Sequence, residues 1–309
     1  MNYRIRHRLI SFIYDLNIKG SGFLCSKIIN AFTPKAKNPL VIKTLYGFQL
    51  KIDPVKDNGI EKSIYEKGTY EKGTLHIIRK LLTQGDLFVD IGANIGLMSI
   101  FAANIVKENG LVVSFEPNPE TNQILKENIS LNNISNIKVE PYALGNECEQ
   151  RKIYDNFKVN RGAASLIHPQ VLTQSYDVNV TTFSKYFDYM QNISLIKIDV
   201  EGYELKVLEG AKGYLKKCKK PPMIIVEFSL LRENSFGEEL NALASFIQSV
   251  GGYRLFKSVL GKERISKLIE ITNTQDFPIH DNVYCFTNEH IAQLEMGLFK
   301  KNPLRKSLN

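Results

Sequence analysis

The stretch Val89-Asp90-Ile91-Gly92-Ala93-Asn94-Ile95-Gly96 decides how the rest of the chain is interpreted. An apolar strand, Leu87 to Ile91, leads into it, and a helix is expected from Gly96 to Lys107. Gly92 and Gly96 allow a tight turn and a close approach of a ligand to the backbone. Because open α/β sheets bind their ligands beyond the carboxyl ends of the strands, this loop is a candidate nucleotide-binding site.

Strands alternate with helices from Leu87 onward. Further strands are expected at Leu111–Phe115, Ile137–Pro141, Leu195–Val200, Met223–Phe228, Tyr253–Lys257 and Val283–Thr287. Further helices are expected at Pro119–Asn132, Glu204–Lys216 and Glu238–Val250. Continuous apolar strands separated by helices predict an α/β fold, in which a mostly parallel sheet is covered by helices on both faces.

The chain before the first strand is expected to form a small accessory region. Residues 1–74 would contain one or two helices up to about Pro34 and a β-hairpin from Leu40 to Asp53. Residues 75–290 would form the sheet domain, and residues 145–193 within it are a long insertion of the kind that often forms a lid or a substrate wall. Residues 291–309 are expected to be a basic tail.

Charge and apolar content disfavour several classes of protein. The 309 residues are 43% hydrophobic and carry a formal net charge of +8, much of it near the two ends. Basic ends are more often solvated tails than binding sites, and no recognition motif for nucleic acid accompanies them. No apolar run approaches the roughly 20 residues of a membrane span, and no convincing signal peptide is present, so a cytoplasmic protein is expected.

The first helix has two interpretations. Leu9, Ile10, Ile13 and Leu16 fall at helical spacing, with arginines beside them. A short apolar face of this kind favours a helix packed on the main domain. The alternative is a basic amphipathic helix that lies on a membrane surface, which would give the protein peripheral contact with the inner membrane face.

Three side chains in and near the glycine loop indicate which ligand it binds. Asn94 stands where G-x-G-x-x-G has its second glycine, so the bare backbone that receives a pyrophosphate is missing. Asp90 would repel a pyrophosphate, but it suits an amino-acid ammonium or the neighbourhood of a sulfonium. Glu116 ends the next strand, about twenty residues after Gly96, where a carboxylate accepts hydrogen bonds from ribose hydroxyls. A ribose joined to a zwitterionic amino acid describes S-adenosylmethionine.

Five segments of the chain resemble the FkbM family of methyltransferases, in the order that the family has them. They are Gly68–Glu71, Phe88–Gly96, Ser114–Pro119, Tyr142–Gly145 and Ile196–Glu204. The resemblance implies a seven-stranded, Rossmann-like class I methyltransferase fold, with S-adenosylmethionine as the methyl donor. It also implies a hydroxyl oxygen, often of a sugar or a polyketide, as the acceptor. The sequence departs from many relatives at Thr182–Lys185, where they carry an aspartate.

Carried over by position, the resemblance assigns residues to each part of the donor. Those that would hold the methionine part are Asp90, Gly92, Asn94 and Gly96. Glu116 would hold the ribose, and Asn118 beside it is counted among the cofactor-binding residues. Ala143 and Leu144 would lie beside the adenine and contact it through backbone groups.

Activation of the acceptor is assigned to carboxylates that follow the fourth strand. The sulfonium methyl is already electrophilic, so the protein must align an oxygen with it and help to remove the hydroxyl proton. Asp199 is the leading candidate for this base, and Glu201 is the second. Glu204 is a candidate substrate contact, although a carboxylate in the first turn of a helix more often stabilises the helix dipole. The same carboxylates could hold Mg²⁺, but no metal-ligand spacing supports this, and no metal ligand is predicted.

Three further residues are candidates for the acceptor pocket. His168 lies in the long insertion, where an exposed loop histidine is the ordinary alternative. Tyr70 and Glu71 precede the sheet domain and would either form one wall of the pocket or dock the N-terminal segment. The sequence leaves both interpretations open.

The leading hypothesis is an S-adenosylmethionine-dependent O-methyltransferase that acts on a sugar, a glycan or a related hydroxylated metabolite. A nicotinamide-dependent oxidoreductase on a similar sheet is the first alternative, which Asp90 and Asn94 disfavour. A non-catalytic, membrane-associated scaffold is the second, which the intact Asp90, Glu116 and Asp199 disfavour. The basic N-terminus is compatible with a lipid-carried glycan, and no motif predicts the oligomeric state.

Overall fold

The computed structural model describes residues 2–16, 18–155, 164–167, 173–229 and 236–304. The helices of these segments are α1 (Tyr3–Asp15), α2 (Ser21–Phe32), α3 (Ile60–Lys67), α4 (Lys72–Leu81), α5 (Leu97–Val106), α6 (Pro119–Leu131), α7 (Phe183–Tyr186), α8 (Glu204–Lys217), α9 (Phe236–Gly251) and α10 (Asn288–Gln293). The strands are β1 (Leu40–Lys43), β2 (Gln49–Ile52), β3 (Leu87–Ile91), β4 (Leu111–Phe115), β5 (Ile137–Glu140), β6 (Ala143–Gly145), β7 (Glu149–Tyr154), β8 (Ser175–Thr182), β9 (Leu195–Ile198), β10 (Met223–Ser229), β11 (Arg254–Ser258), β12 (Leu268–Glu270) and β13 (His280–Phe286).

Eight strands of the described segments form one large sheet in the order β12-β11-β13-β10-β9-β3-β4-β5. The strands from β10 to β5 run parallel, β13 is antiparallel to both of its neighbours, and β12 is antiparallel to β11. From β5 to β11, the strands take the order 3-2-1-4-5-7-6 along the chain. This is the Rossmann order with a reversed strand inserted, so the predicted α/β fold is confirmed.

The large sheet has one strand more than the seven expected. The additional strand, β12, has three residues and pairs with β11 from Phe256↔Glu270 to Ser258↔Leu268. A strand of three residues, of which only Leu268 is fully buried, is too short for a periodic pattern to mark it in the sequence.

Two hydrophobic layers lie on opposite faces of the sheet. Phe88 of β3 belongs to one layer together with Leu75 of α4. The next residue, Val89, belongs to the other layer with Val207 of α8 and Ile247 of α9. Because successive side chains of a strand point to opposite faces, strands that are covered on both sides must be apolar throughout. This requirement explains the continuous apolar runs in the sequence.

The order of the strands reverses between β3 and β9, in the middle of the parallel part. Their pairing includes Ile91↔Ile198, the last residue of each strand, so the two following loops start side by side. Gly92 begins one loop with φ +83°, and a Cβ at this position would collide with the carbonyl oxygen of Asp199, which begins the other. Glycine is therefore required at position 92 by the contact between two main chains as well as by the turn. Ligands of such sheets bind where the loops diverge.

The long insertion contains strands that the sequence did not reveal. In its described part, β6, β7 and β8 form a separate sheet in the order β6-β8-β7. A small apolar cluster of Ala143, Ile153, Val178 and Val180 stabilises this sheet. β7 is polar in most of its residues, and only Ile153 is fully buried, so its pattern in the sequence is weak. The role of the insertion as a lid or a substrate wall stays a prediction.

The N-terminal region contains the two expected helices, α1 and α2, and the expected hairpin, in which β1 pairs antiparallel with β2. Helix α3 is additional. The expected boundary between residues 74 and 75 falls inside α4, which begins at Lys72. That boundary therefore does not separate two structural units.

Arg6 is buried, which corrects the expectation that the basic N-terminus is a solvated tail. Its guanidinium donates hydrogen bonds to the carbonyl oxygens of Phe32 (3.1 Å) and Tyr65 (2.9 Å). The neighbouring His7 bonds to the same Tyr65 carbonyl, and burial lowers the pKa of its ring to about 4. These two side chains fasten α1 to the end of α2 and to α3.

Residues 291–299 also pack against the domain instead of belonging to a basic tail. Ile291, Leu298 and Phe299 are buried, and the ring of Phe299 lies 5.2 Å from that of Phe256 in β11. Phe299 also forms a bridge with Leu268 of β12. Burial of these apolar side chains outweighs the basic character of the residues that follow them.

Candidate active site

A cleft opens at the carboxyl ends of β4, β3, β9 and β10, over the point where the strand order reverses. One side, the Glu116 end, is lined by the loop after β3 and by Glu116, Pro117, Ala143 and Leu144. The other side, the Asp199 end, is lined by Tyr70, Glu71, Lys197, Asp199, Glu201, Glu227, Lys262 and His280. The two ends differ in chemistry, because most of the charged side chains lie at the second.

Glu116 follows β4, and its side chain is buried. Its two carboxylate oxygens accept backbone N–H bonds from Asn94 (2.9 Å) and Asn118 (3.0 Å). Burial nevertheless raises the pKa of Glu116 to about 7. Each carboxylate oxygen has a second lone pair, so the side chain can accept further hydrogen bonds from a molecule in the cleft.

Asn94 and Gly96 shape the loop between β3 and α5. Asn94 lines the cleft with φ +50°, and its side-chain oxygen accepts a hydrogen bond from the N–H of Ile95 (2.7 Å). Gly96 precedes α5, and a Cβ there would collide with Leu125 of α6. Asn94 therefore lines the cleft, whereas Gly96 faces the neighbouring helix.

Asp90 does not line the cleft. Its Oδ2 accepts a hydrogen bond from the hydroxyl of Ser99 in α5 (2.5 Å), which in turn accepts one from Ser114 of β4 (2.8 Å). Its Oδ1 has no hydrogen-bond partner among the described residues, and burial raises the pKa of the carboxyl group. A buried acceptor without a partner costs stability, and a donor that reaches Oδ1 would remove this cost.

Two of the predicted site residues occupy helix termini instead of the cleft. Asn118 precedes α6, accepts hydrogen bonds from two N–H groups of its first turn, and donates one to Asp155 (2.5 Å). Glu204 begins α8 and accepts hydrogen bonds from the N–H groups of Val200 (3.2 Å) and Gly202 (3.0 Å). The sequence favoured such a role for Glu204, whereas for Asn118 the structure gives a capping role in place of a position in the cleft.

Asp199 follows β9 and lines the cleft. Its Oδ2 accepts a hydrogen bond from Nζ of Lys197 (2.7 Å), which is buried in the middle of β9. Burial opposes the charge on Asp199, but Lys197 and Lys262 more than offset this effect and lower the pKa of the carboxyl group. Burial likewise opposes the charge on Lys197. The negative charges of its neighbours, of which Asp199 has the largest effect, outweigh burial and raise the pKa of Lys197. The two side chains form an ion pair in which Lys197 is buried and Asp199 is half-buried.

Residues from distant segments complete the Asp199 end. Lys262, between β11 and β12, lies 3.1 Å from Glu71 and 2.5 Å from Glu227. Glu71 also accepts a hydrogen bond from the side-chain amide of Asn282 in β13 (2.8 Å). Glu227, near the end of β10, hydrogen-bonds to Asp199, and burial followed by the charge of Asp199 raises the pKa of Glu227 well above its ordinary value. Burial therefore favours the protonated form of Glu227, which can donate a hydrogen bond to Asp199.

One oxygen each of Glu71, Asp199 and Glu227 lies within 4.8 Å of the others, a spacing that could hold a metal ion. However, each of the three carboxyl groups already bonds a lysine ammonium. A divalent cation at their centre would meet strong repulsion from these two positive charges. The side chains present therefore fit a proton-sharing carboxyl pair held by lysines better than they fit Mg²⁺.

The other predicted pocket residues lie around this cluster. Glu201 lines the cleft from a turn with φ +57°, and its carbonyl oxygen accepts a hydrogen bond from Ser165 of the insertion (2.8 Å). Tyr70 lines the cleft beside Glu71, and burial raises the pKa of its hydroxyl. His168 lies outside the described residues. Another histidine, His280, lies at the rim, with Nε2 3.6 Å from Oε1 of Glu227.

Sequence reasoning missed Lys197, Glu227 and Lys262. The first two interrupt apolar strands, and a charged residue inside a buried strand requires a partner, so the sequence does contain a signal for them. Lys262 follows a glycine in a polar loop, and nothing in its local sequence distinguishes it from an exposed lysine. Only its contacts with Glu71 and Glu227 identify it.

Parts of this chain are similar in sequence to known proteins. A sequence model of the methyltransferase FkbM domain matches residues 90–255. Methyltransferase 1 of Beauveria bassiana (strain ARSEF 2860) is 25% identical over 142 residues, in a match that covers 40% of this chain and 57% of that protein. Methyltransferase sdnD of Sordaria araneosa is 26% identical over 160 residues, in a match that covers 42% of this chain and 61% of that protein. The chain thus spans 57% and 61% of the length of these relatives.

Solved structures are similar at lower identity. A SAM-dependent O-methyltransferase from Thermotoga maritima is 12% identical, covers 84% of this chain and 96% of its own, and gives a TM-score of 0.42. TYW2 of M. jannaschii in complex with AdoMet is 16% identical, covers 82% and 86%, and gives a TM-score of 0.40. The fold is assigned from the strand order and the family match, and the same match removes the nicotinamide-dependent oxidoreductase as an alternative. Because the matched domain takes up more than half of the 309 residues, the chain belongs to the FkbM family of S-adenosylmethionine-dependent methyltransferases.

Proposed function

We propose that the chain transfers the methyl group of S-adenosylmethionine to a hydroxyl oxygen of a sugar, a glycan or a related hydroxylated metabolite. The observation that carries this proposal is the carboxyl pair of Asp199 and Glu227, on the side of the cleft away from Glu116. An alcohol is a poor nucleophile until its proton leaves, so an alcohol acceptor needs a base beside the donor.

The Glu116 end fits the donor. S-adenosylmethionine supplies an electrophilic methyl group on its sulfonium sulfur. Glu116 has lone pairs available for ribose hydroxyls, and Ala143 and Leu144 line the cleft where their backbone groups would contact the adenine. Asn94 and Gly92 line the cleft where the methionine part would lie.

Asp199 is proposed to take up the proton of the acceptor. The hydroxyl oxygen forms its new bond to the methyl carbon, the bond from that carbon to sulfur breaks, and the hydroxyl proton passes to the Asp199 carboxylate. This proton becomes strongly acidic as the oxygen gives electron density to carbon, so Asp199 can accept it in spite of a lowered pKa. Lys197 holds the carboxylate in place, and the proton is afterwards released to solvent.

The balance of charge supports an uncharged acceptor. At the Asp199 end, the carboxylates of Glu71 and Asp199 are matched by the ammonium groups of Lys197 and Lys262, burial favours the protonated form of Glu227, and Glu201 adds one further carboxyl group. This set of side chains offers hydrogen-bond donors and acceptors without a large excess of either charge. Such an arrangement suits the hydroxyl groups of a sugar better than a phosphate or an ammonium group.

Labelled methyl transfer tests the proposed reaction. The purified protein is incubated with labelled S-adenosylmethionine and with glycan, lipid and small-molecule extracts of its source cells, and products are identified by mass spectrometry. We expect a methyl ether on a hydroxylated molecule. A protein that binds S-adenosylhomocysteine but methylates none of the fractions would instead support the non-catalytic scaffold.

Asp199→Asn tests the proposed base once a product is found. We expect turnover to fall about 10²–10⁴-fold, because the amide cannot accept the proton. S-adenosylhomocysteine should still raise the melting temperature, since it binds the native state alone. Asp177→Asn is the matched control, because Asp177 is exposed and pairs with Lys152 outside the cleft. Equal turnover of the two variants would exclude Asp199 as the base.

The affinity for S-adenosylhomocysteine is expected to depend on pH through Glu116. Burial raises the pKa of Glu116 to about 7, and ribose hydroxyls would donate to its ionised form, so binding expels a proton below that pH. The affinity should therefore be constant above about pH 7.5 and fall towards tenfold per pH unit below pH 6.5. Calorimetric titration from pH 5.5 to 8.5 measures this, and Glu116→Gln should bind more weakly and lose the pH dependence. An unchanged pH profile in that variant would contradict the assignment of the ribose to Glu116.

A further inference from the structure

Helix α1 has two apolar faces, and the domain covers only one of them. Ile10 and Ile13 are buried in a small cluster with Cys25 of α2. The other face consists of Ile5, Leu9, Phe12 and Leu16, all exposed to solvent, with exposed fractions of 60% for Ile5 and 62% for Phe12. Their spacing of four, three and four residues places them on one line along the helix. We call this line the outer stripe.

Helix α2 and the segment before it extend the apolar surface. Ile18, Leu24 and Phe32 are exposed, and Phe23 is 71% exposed. Lys27 lies over the ring of Phe23, with its ammonium 5.3 Å from the ring centroid. Soluble surfaces carry scattered apolar side chains, but this many exposed ones on two helices that pack on each other indicate an interaction surface.

The charge around the patch is strongly positive. Residues 2–37 include seven Arg and Lys residues, of which only Arg6 is buried, and a single acidic residue, Asp15. The carboxylate of Asp15 is occupied by Lys72, whose Nζ lies 2.5 Å from it. Arg4, Arg8 and Lys19 are exposed beside the outer stripe. A partner of this surface must therefore accept several aromatic and aliphatic side chains and also carry negative charge.

We infer that the α1–α2 surface docks the protein on an anionic lipid membrane. An interfacial helix buries Phe, Leu and Ile at the boundary of the acyl chains, while its Arg and Lys residues attract acidic headgroups. A second copy of the chain is disfavoured, because a two-fold interface would bring the same basic residues against each other. None of the helices in the described segments has the length and the apolar character that a membrane span requires.

The docking surface lies next to the Asp199 end of the cleft. Lys72, which follows Glu71 in the chain, bonds Ser11 (2.6 Å) and Asp15 of α1. Arg264, two residues after Lys262, lies 5.3 Å from the ring of Tyr14 in α1. Helix α1 therefore packs on the segment that contains Glu71 and on the segment that contains Lys262, and both of these residues line that end of the cleft. This arrangement indicates that the acceptor is a hydroxylated molecule carried on a lipid, an assignment that rests on the proposed function.

Vesicle cosedimentation with the full chain tests the docking surface. The vesicles contain phosphatidylcholine alone or phosphatidylcholine mixed with phosphatidylglycerol, at low and high salt. We expect binding to the anionic vesicles, weakened by salt, and little binding to the neutral ones. Phe12→Ser/Phe23→Ser should weaken binding at least about tenfold, and Arg8→Gln about fivefold. Folding of each variant is checked by the melting temperature and by its rise with S-adenosylhomocysteine.

The matched control is Val55→Ser/Met190→Ser, which removes apolar side chains of similar exposure, 52% and 57%, outside the α1–α2 surface. Vesicle binding of this variant should equal that of the unchanged protein. The proposal is overturned if the folded protein binds neither kind of vesicle, or if the two double variants bind equally. It is also overturned if Phe12→Ser/Phe23→Ser converts a stable dimer into a monomer in light scattering, because the surface is then an interface between copies.

Partition of the labelled product tests the assignment of the acceptor separately. After methyl transfer to total extracts, we expect the label in the organic, lipid-carrying phase. Label in the aqueous phase alone would overturn the lipid-carried acceptor and leave the proposed methyl transfer intact. Absence of label from both phases would instead count against the proposed function, while vesicle binding would be unaffected by that failure.

Discussion

Alanine at position 92 is expected to destabilise the protein by at least about 3 kcal/mol, whereas alanine at position 85 should cost about 1–2 kcal/mol. Both glycines have a left-handed backbone, with φ +83° at Gly92 and φ +91° at Gly85. An added methyl group at Gly85 would meet no atom within 4 Å, so it causes only the strain of the backbone. At Gly92 it would collide with the carbonyl oxygen of Asp199. A main-chain atom cannot rotate away as a side chain can, so the two loops must separate.

Urea denaturation of Gly92→Ala and Gly85→Ala measures this difference directly. We also expect Gly92→Ala to lose the rise in melting temperature with S-adenosylhomocysteine, because separation of the loops displaces the residues proposed to hold the donor. Gly85→Ala should keep that rise. Equal free energies of unfolding for the two variants would mean that the contact between the loops contributes nothing to stability.

Replacement of Lys262 by methionine is expected to cost about 3–5 kcal/mol, the range measured when one partner of a buried ion pair is removed. Lys262 is the ammonium partner of the buried Glu71, 3.1 Å away, and methionine leaves that charge without it. Burial favours the protonated form of the neighbouring Glu227, so its contact with Lys262 should add less to this penalty than that of Glu71. Most of the loss should therefore come from one uncompensated carboxylate.

A second substitution separates the loss of charge from the loss of packing. Lys262→Met/Glu71→Gln removes both charges, and Asn282 can still donate to the amide oxygen of Gln, so much of the stability should return. Lys152→Met is the control for an ordinary ion pair, because Lys152 and Asp177 are exposed, and its expected cost is below about 1 kcal/mol. A double variant as unstable as Lys262→Met would show that lost packing, and not the charge of Glu71, is responsible.

The sequence was sufficient for the parts of the structure that local patterns encode. Apolar runs of strand length separated by amphipathic segments predicted the parallel sheet, because strands covered on both faces cannot be built otherwise. Asp199 and Glu116 were found because each ends such a run, at the edge of the sheet where ligands bind. The same reasoning placed Asp90 and Asn118 in the cleft, where the structure does not have them. Position at a strand end fixes the location of the main chain, but it does not determine which way the side chain points.

The remaining part of the site depends on contacts between distant segments. Glu71 and Lys262 are separated by almost two hundred residues along the chain, and they meet because α4 and the loop after β11 pack against each other through the N–H of Gly73 and the carbonyl oxygen of Lys262 (2.8 Å). The partners of a buried charge are determined by the completed fold. For Glu227, the sequence showed that a partner must exist without showing which one.

The contact between Gly92 and Asp199 makes the spacing of the reacting groups independent of the residues that recognise the acceptor. Because one main chain rests directly on the other, the distance between the donor loop and the proposed base is set by backbone atoms and does not depend on the side chains of the surrounding walls. The insertion strands and α3, which supply Ile153 and Ile60 to the lining of the cleft, can then change in size or polarity without moving the reacting groups apart. Exchange of these walls between relatives should therefore alter the choice of acceptor while the rate of the chemical step on a fitting acceptor stays similar.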